Sequence, residues 1–303
     1  MSRLAPDALV RPGAKLLGRV QRTAGRALRS RVAGDDAAVA AERIWGSTGE
    51  RWFTPGDPVW RVHANASMFT GGLAALLLQS LHPQAMAGVA GHSGYRGDPW
   101  GRLQRTSHFI ATTTFGTIPD AEAAIAQVRA VHRRVRGKDE RGVPYRADDP
   151  VLLRWVHVAE ASSFLAAYQR YATVPLTPAE ADTYVAQSSL VAARLGADHL
   201  PQAVAELNET LGAYRPVLRS TPAARDAGRF LLLNPPLPLA ARPGYAAIAA
   251  GAIALLPGWA RRELRLPAPP ALDIIPRTLG LGATRTIRWA MAGLDDASPH
   301  RSR

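Results

Sequence analysis

Between Arg61 and Arg96 the chain carries no formally charged side chain, and within that stretch Gly71–Leu81 is strongly apolar. Such a segment must be buried, either in lipid or in a protein core. Gln79, His82, Pro83 and Gln84 interrupt it before the roughly 20 apolar residues that a membrane-spanning helix needs. It therefore reads as a buried helix, broken or kinked at His82–Pro83, because proline disfavours helical geometry in the residue before it. Gly71 and Gly72 would let another backbone or a flat ligand come close. Enclosing this segment takes a large core, and 303 residues at 47% hydrophobic content can provide one. A second apolar run, Gly244–Trp259, is shorter and contains Pro257. Peripheral membrane contact through either run stays open.

The remaining pattern is helical. Asp35–Trp45 is amphipathic, and Val59–Leu81 is mostly helical. Asp98–Pro99 starts a helix, because Asp caps free N–H groups and proline at the first helical position sacrifices none. Another helix runs from Asp120 to near Gly137, and a long one from Asp148–Pro150 to about Ala172. Thr177-Pro178-Ala179-Glu180 is a capping box that opens a helix ending near Gly196. Pro201–Tyr214 and Thr221–Leu233 follow. Asn234–Pro243 reads as a rigid connector, and helices near Tyr245–Leu256 and Thr284–Ala292 complete the set. Strand alternation of useful length is absent, which predicts an all-α fold. The expected organisation is a basic arm (1–35), one multi-helix domain (36–293) and a frayed tail (294–303).

Composition removes several functions. Without cysteine there can be no disulfide, iron–sulfur cluster or thiolate-ligated haem or zinc. Of the net charge of +13, more than half sits in residues 1–31, where eight arginines and lysines face Asp7 alone. A terminus of that kind is expected to be solvated, or to attract an anionic membrane surface. No aromatic residues interleave a basic stripe, so no nucleic-acid partner is expected. The recurring arginines leave no room for a signal-peptide core, which points to a cytoplasmic location with or without membrane association. The nucleophile elbow, the phosphate loop, the dinucleotide fingerprint and the H-E-x-x-H zinc motif are all missing. A di-iron bundle would need two Glu-x-x-His units, whereas the chain offers one reversed His157-x-x-Glu160.

Chemistry-bearing residues concentrate between Asp98 and Gly137. Arg102, Arg105, Thr106 and Phe109 share a helical face. On the next helix Ile125, Val128, Val131 and Val135 form an apolar stripe that includes His132. A histidine there is either a core imidazole bonded to its neighbours or an iron ligand in an apolar haem pocket. On the long helix, His157 and Glu160 fall one turn apart on an otherwise apolar side. They read either as an internally paired couple or as a metal-ligand pair, a partner that orients a ligand, or a proton shuttle.

A set of ordered motifs carries a family resemblance. Gly72-Leu73, Leu77-Leu78-Gln79-Ser80-Leu81-His82-Pro83, Gly88-Val89, His92-Ser93, Asp98-Pro99, Arg102-Leu103-x-Arg105-Thr106, Val131-His132-x-x-Val135-x-Gly137 and Trp155-Val156-His157 follow one another over roughly residues 40–260. Together they resemble the DUF2236 family of MpaB-type and latex-clearing rubber oxygenases. The resemblance implies a helical fold holding haem b and using O2 to cleave an isoprenoid-type alkene. It makes His132 the proximal iron ligand, with His157 in reserve, and puts Arg102 and Thr106 near the haem face; by their chemistry Arg102 and Arg105 could bind the cofactor by pairing with its propionates. Arg105 and Thr106 would act in catalysis. In the rubber-cleaving branch a lysine that can ligate the iron stands at the place of Arg105. Guanidinium offers no lone pair, so distal ligation does not carry over. The competing class is a helical haem or lipid binding protein without oxygen chemistry.

Overall fold

The computed structural model describes residues 7–34, 37–92, 97–266 and 274–295. It is all-α, with one two-stranded hairpin among the described residues. The helix starts repeat one local device. Asp98, Thr117, Asp149, Thr177 and Thr221 each accept a backbone N–H from the first turn they precede, with proline at the first or second helical position. Each thus satisfies a donor that the helix leaves unpaired, and the proline fixes the entry geometry. Thr177 and Glu180 form the complete reciprocal box.

The centre is the contact between α4 (Met68–Gln79) and α8 (Pro150–Tyr171). Gly71 permits it, since a methyl group there would lie 3.0 Å from Ala167 Cβ and 3.1 Å from Phe164 Cδ1. The Trp155 indole, wholly buried, donates to the Gln79 carbonyl at 3.2 Å. Around this pair stand α3 (Pro58–His63), α9 (Pro178–Leu195) and α10 (Val204–Tyr214). α12 (Arg242–Leu255) packs on α4 as well, and meets α14 (Ile274–Asp295) at Gly251 and Gly280. The uncharged stretch becomes α4 and α5 (Pro83–His92), with the break at Ser80–His82 that proline dictates. Among the described residues, no helix is long and apolar enough to cross a membrane.

Three regions differ from the sequence expectation. Basic residues 7–33 form one helix, α1, which packs on α14 and on α6 (Pro99–Phe115) where a solvated terminus was expected. Gln21, Gly25, Leu28 and Val32 recur at helical spacing between the arginines and supply the inward face, with Gln21 donating to the Trp289 carbonyl. Arg31 stacks over Trp100. Between the helices expected to end near Gly137 and to start at Asp148, where the sequence offers only the polar stretch Lys138–Ala147, the chain forms a hairpin: β1 (Arg136–Lys138) pairs antiparallel with β2 (Pro144–Arg146), Gly137 opposite Tyr145. Three-residue strands are too short to show alternation, and the turn is tied by Asp139, which accepts from the Arg141 and Val143 amides. α14 begins ten residues before the expected Thr284. The tail expected at 294–303 falls largely outside the described residues, as does Ser93 of the family motif.

Candidate functional site

α6 and α7 (Ile118–His132) form an antiparallel helical hairpin around Gly116–Thr117. The first two turns of α6 therefore lie at the same end as the last turn of α7, which brings Arg102, Arg105, Thr106 and His132 to one end of one unit. Asp98 organises that end by accepting from the Gly101 amide at 2.8 Å and pairing with Arg105 at 3.2 Å. These contacts hold the Asp98 carboxyl below the usual carboxylate range, the amide first and the guanidinium second. Arg105 is 66% exposed and Asp98 60%, so the pair is weak and exchangeable. Arg102 is half-buried. Thr106 is exposed and bonds back to the Arg102 carbonyl at 3.0 Å.

His132 is half-buried, and its Nδ1 is buried without a hydrogen-bond partner among the described residues. Burial lowers its pKa, with the Asp148 charge opposing, so the ring is neutral and keeps a lone pair at neutral pH. The helix ends at His132, short of the expected Gly137, because the chain turns there into β1. Its apolar stripe is split: Ile125 is buried, Val128 half-buried and Val131 50% exposed. Leu103 on α6 is exposed as well.

His157 and Glu160 are not a couple. His157 is buried, and its Nε2 meets Ser189 Oγ on α9 at 3.2 Å; burial pushes its pKa down to about 4. Glu160 instead takes a hydrogen bond from the Gln79 side chain of α4, and burial raises its carboxyl to about 7. His82 is buried against Trp155 and Tyr214, with a pKa lowered to about 4 by burial and then by Arg219. It stands where a helix breaks, as its proline neighbour predicts.

Two further buried groups, His63 and Tyr184, carry no sequence motif. His63 at the end of α3 bonds Thr114 Oγ1 through Nδ1 at 2.8 Å, and burial lowers it to about 4. The Tyr184 hydroxyl on α9 is wholly buried and has no hydrogen-bond partner among the described residues; burial, with the Glu160 charge, raises its pKa. The available signal was Glu160 itself, a carboxylate on a core-facing helix without a cation in reach by helical spacing.

Neither of two surface depressions touches the α6–α7 end. One of about 440 Å³ is lined by Arg215, Trp259 and Glu263, and one of about 130 Å³ by Arg43, His108 and Asp120. Among the described residues no three His, Asp or Glu side chains converge as a metal-ion cage.

A helical core with a hairpin that brings one neutral imidazole and two arginines to one end defines an all-α catalytic domain of the oxidoreductase class once its sequence relatives are considered. The family described as ER-bound oxygenase mpaB/B'/Rubber oxygenase, catalytic domain, matches residues 60–290, and the chain belongs to that family. The match runs from α3 into α14 and takes in every candidate residue, leaving α1 outside it. No curated protein and no solved structure matches the chain. The protein is thus an oxygenase-family enzyme that takes a small substrate and O2.

Proposed function

We propose that the protein is a haem b-dependent oxygenase acting on a hydrophobic alkene of isoprenoid type, with His132 as the proximal iron ligand. The observation that carries this reading is the buried Nδ1 of the neutral His132 ring, which has no hydrogen-bond partner among the described residues at the end of the hairpin. A buried polar atom normally finds a hydrogen bond, so an orphaned imidazole nitrogen is the kind of group a metal completes. A porphyrin iron asks the protein for only one or two ligands, which suits a site with a single available imidazole. Leu103 and Val131 supply apolar cover, while Arg102 and Arg105 can pair with propionates bidentately. The residues present fit the group.

Bound haem would supply the binding and activation of O2. The chain's own part is to hold the cofactor through His132 and the arginines, and to keep water away from an apolar substrate. Arg105 supplies a fixed cation with hydrogen-bond donors, and Thr106 a hydroxyl one residue on. Family membership favours oxygen chemistry over a carrier role.

The test is spectral and then chemical. Protein expressed with haem supply should show a Soret band, and with dithionite, O2 and a terpenoid alkene it should form carbonyl products. Protein that takes up no haem would overturn the cofactor; a Soret band without products would leave a haem-binding protein.

A further inference from the structure

Between α11 (Pro222–Leu233) and α12 the chain makes a loop whose base is closed by the Tyr245 hydroxyl, which donates to the Leu231 carbonyl at 2.6 Å. The loop is bonded from within. Pro235 is buried and Leu237 half-buried, the Ala241 amide donates to the Pro238 carbonyl, and Arg242 Nε folds back to the Leu237 carbonyl at 3.4 Å. Every other residue from Leu233 to Gly244 is exposed, Leu233 at 71% and Leu239 at 77%. Asn234 and Arg242 are the only polar side chains among them. A shaped loop thus holds large apolar side chains at solvent, and something apolar is needed to cover them.

Backbone and charge select the occupant. Pro235, Pro236, Pro238 and Pro243 have no amide hydrogen, and the amides of Asn234, Leu237, Ala241 and Arg242 are bonded to carbonyls of the loop or of α11. Such a tip leaves water cheaply, which matters most in lipid, where nothing replaces a lost hydrogen bond. It also offers a protein partner little to bond. From Ala227 to Arg262 the sequence has no acidic residue and four arginines, of which Arg229, one turn before Leu233, and Arg242 are exposed. We propose that the Leu233–Gly244 loop is a membrane-docking surface: Leu233 and Leu239 enter the outer acyl region of a bilayer, and Arg229 and Arg242 meet its anionic headgroups. Docking there would bring the chain to where an apolar alkene dissolves, a consequence that rests on the oxygenase reading. The docking surface itself does not.

The test uses the full chain with vesicles of phosphatidylcholine, alone or mixed with phosphatidylglycerol. Because the chain has no cysteine, Leu239→Cys carries a single polarity-sensitive fluorophore. Mixed vesicles should shift its emission to the blue, and phosphatidylcholine alone should bind about ten-fold more weakly, the scale of two arginines near an anionic surface. A label on Val39→Cys, 71% exposed soon after the basic helix α1, should not respond. In co-sedimentation Leu239→Asp should weaken binding to mixed vesicles about ten-fold or more, the scale of withdrawing one leucine from an apolar phase. Its melting temperature should stay close to the wild type, because the side chain is exposed. Arg242→Ala should weaken binding to mixed vesicles and leave that to phosphatidylcholine unchanged. A response at Val39 but not at Leu239, or unchanged binding in Leu239→Asp, would overturn the loop as the contact. Equal affinity for both kinds of vesicle would overturn the part given to the arginines. A blue shift at Leu239 that needs no vesicles and grows with protein concentration would overturn the lipid assignment in favour of a second copy of the chain. These readouts need neither haem nor turnover, so the docking surface and the oxygenase reading fail separately.

Discussion

His157 and Glu160 stand one turn apart on α8, yet the imidazole bonds Ser189 on α9 and the carboxyl bonds Gln79 on α4. One helix thus inserts two ionisable groups into the core and neutralises them by opposite routes. Burial lowers the histidine and raises the acid, because it disfavours whichever form is charged.

Opposite shifts give opposite pH dependences. The folded chain keeps a proton on Glu160 up to about pH 7, whereas the unfolded chain releases it near 4.5. Between those values the folded state binds more protons, so this group's contribution falls as pH rises and levels off above about 7. The full loss is about 3 kcal/mol. His63, His82 and His157 act in reverse: each is neutral when folded, and stability is lost as pH falls from 6.5 through about 4. Urea unfolding of Glu160→Gln beside the wild type should therefore show the variant's relative stability climbing across the Glu160 window. A difference that does not change with pH would mean that Glu160 is hydrated in the folded protein.

Packing between α12 and α14 makes a second prediction. A methyl group on Gly280 would lie 2.7 Å from the Tyr171 hydroxyl and 2.8 Å from Gly251 Cα, whereas Gly282 on the same helix has nothing within 4 Å. Gly280→Ala should destabilise by about 1–3 kcal/mol through overpacking, which exceeds the gain in helix propensity. Gly282→Ala should stabilise by up to about 1 kcal/mol. Thermal melts of the two variants should move in opposite directions, and equal shifts would contradict the close crossing.

The buried frame was legible wherever a local device fixed it. Thr177–Glu180, Asp98–Pro99 and His82–Pro83 each carry their geometry within four residues, and the structure places helix ends there. What depended on distant partners was less legible. The inward face of α1 shows its purpose only against Trp289 and Trp100, and β1 and β2 are too short to announce themselves. The candidate site divides the same way. Helical spacing places Arg102, Arg105 and Thr106 together, but pairing His157 with Glu160 by spacing alone ignored that α8 is buried on both flanks and offers each residue a different neighbour. His63 and Tyr184 meet only through tertiary contact, which no spacing in the sequence signals.

Ligand assignment is tested by comparing two histidines. His132→Ala should lose haem or hold it loosely, while His157→Ala, whose ring is occupied with Ser189, should retain haem and lose stability instead. The check is the haem-to-protein absorbance ratio after gel filtration, together with a melt. Full haem content in the His132 variant would sink the assignment, and loss confined to His157→Ala would move the ligand there.

Arg105 gives the most discriminating outcome. A guanidinium stays protonated at any working pH and offers iron no lone pair, so no amine-type sixth ligand can come from this position. Ferric protein should therefore be five-coordinate or water-bound in resonance Raman and electron paramagnetic resonance spectra. A nitrogenous sixth ligand from the chain would contradict that. The present partner of Arg105 is Asp98, and because both side chains are mostly exposed the pair can open at little cost to reach a propionate or a bound oxygen species. Arg105→Leu should then weaken haem retention or slow O2 chemistry, with a melting temperature close to the wild type, since an exposed ion pair contributes little to stability. Asp98→Asn leaves the cation free and keeps an oxygen for the Gly101 amide, so it should retain haem at least as well as the wild type. Unchanged haem affinity and turnover in Arg105→Leu would reduce Arg105 to a solvated charge at the start of α6, leaving Arg102, Thr106 and His132 as the working end of the hairpin.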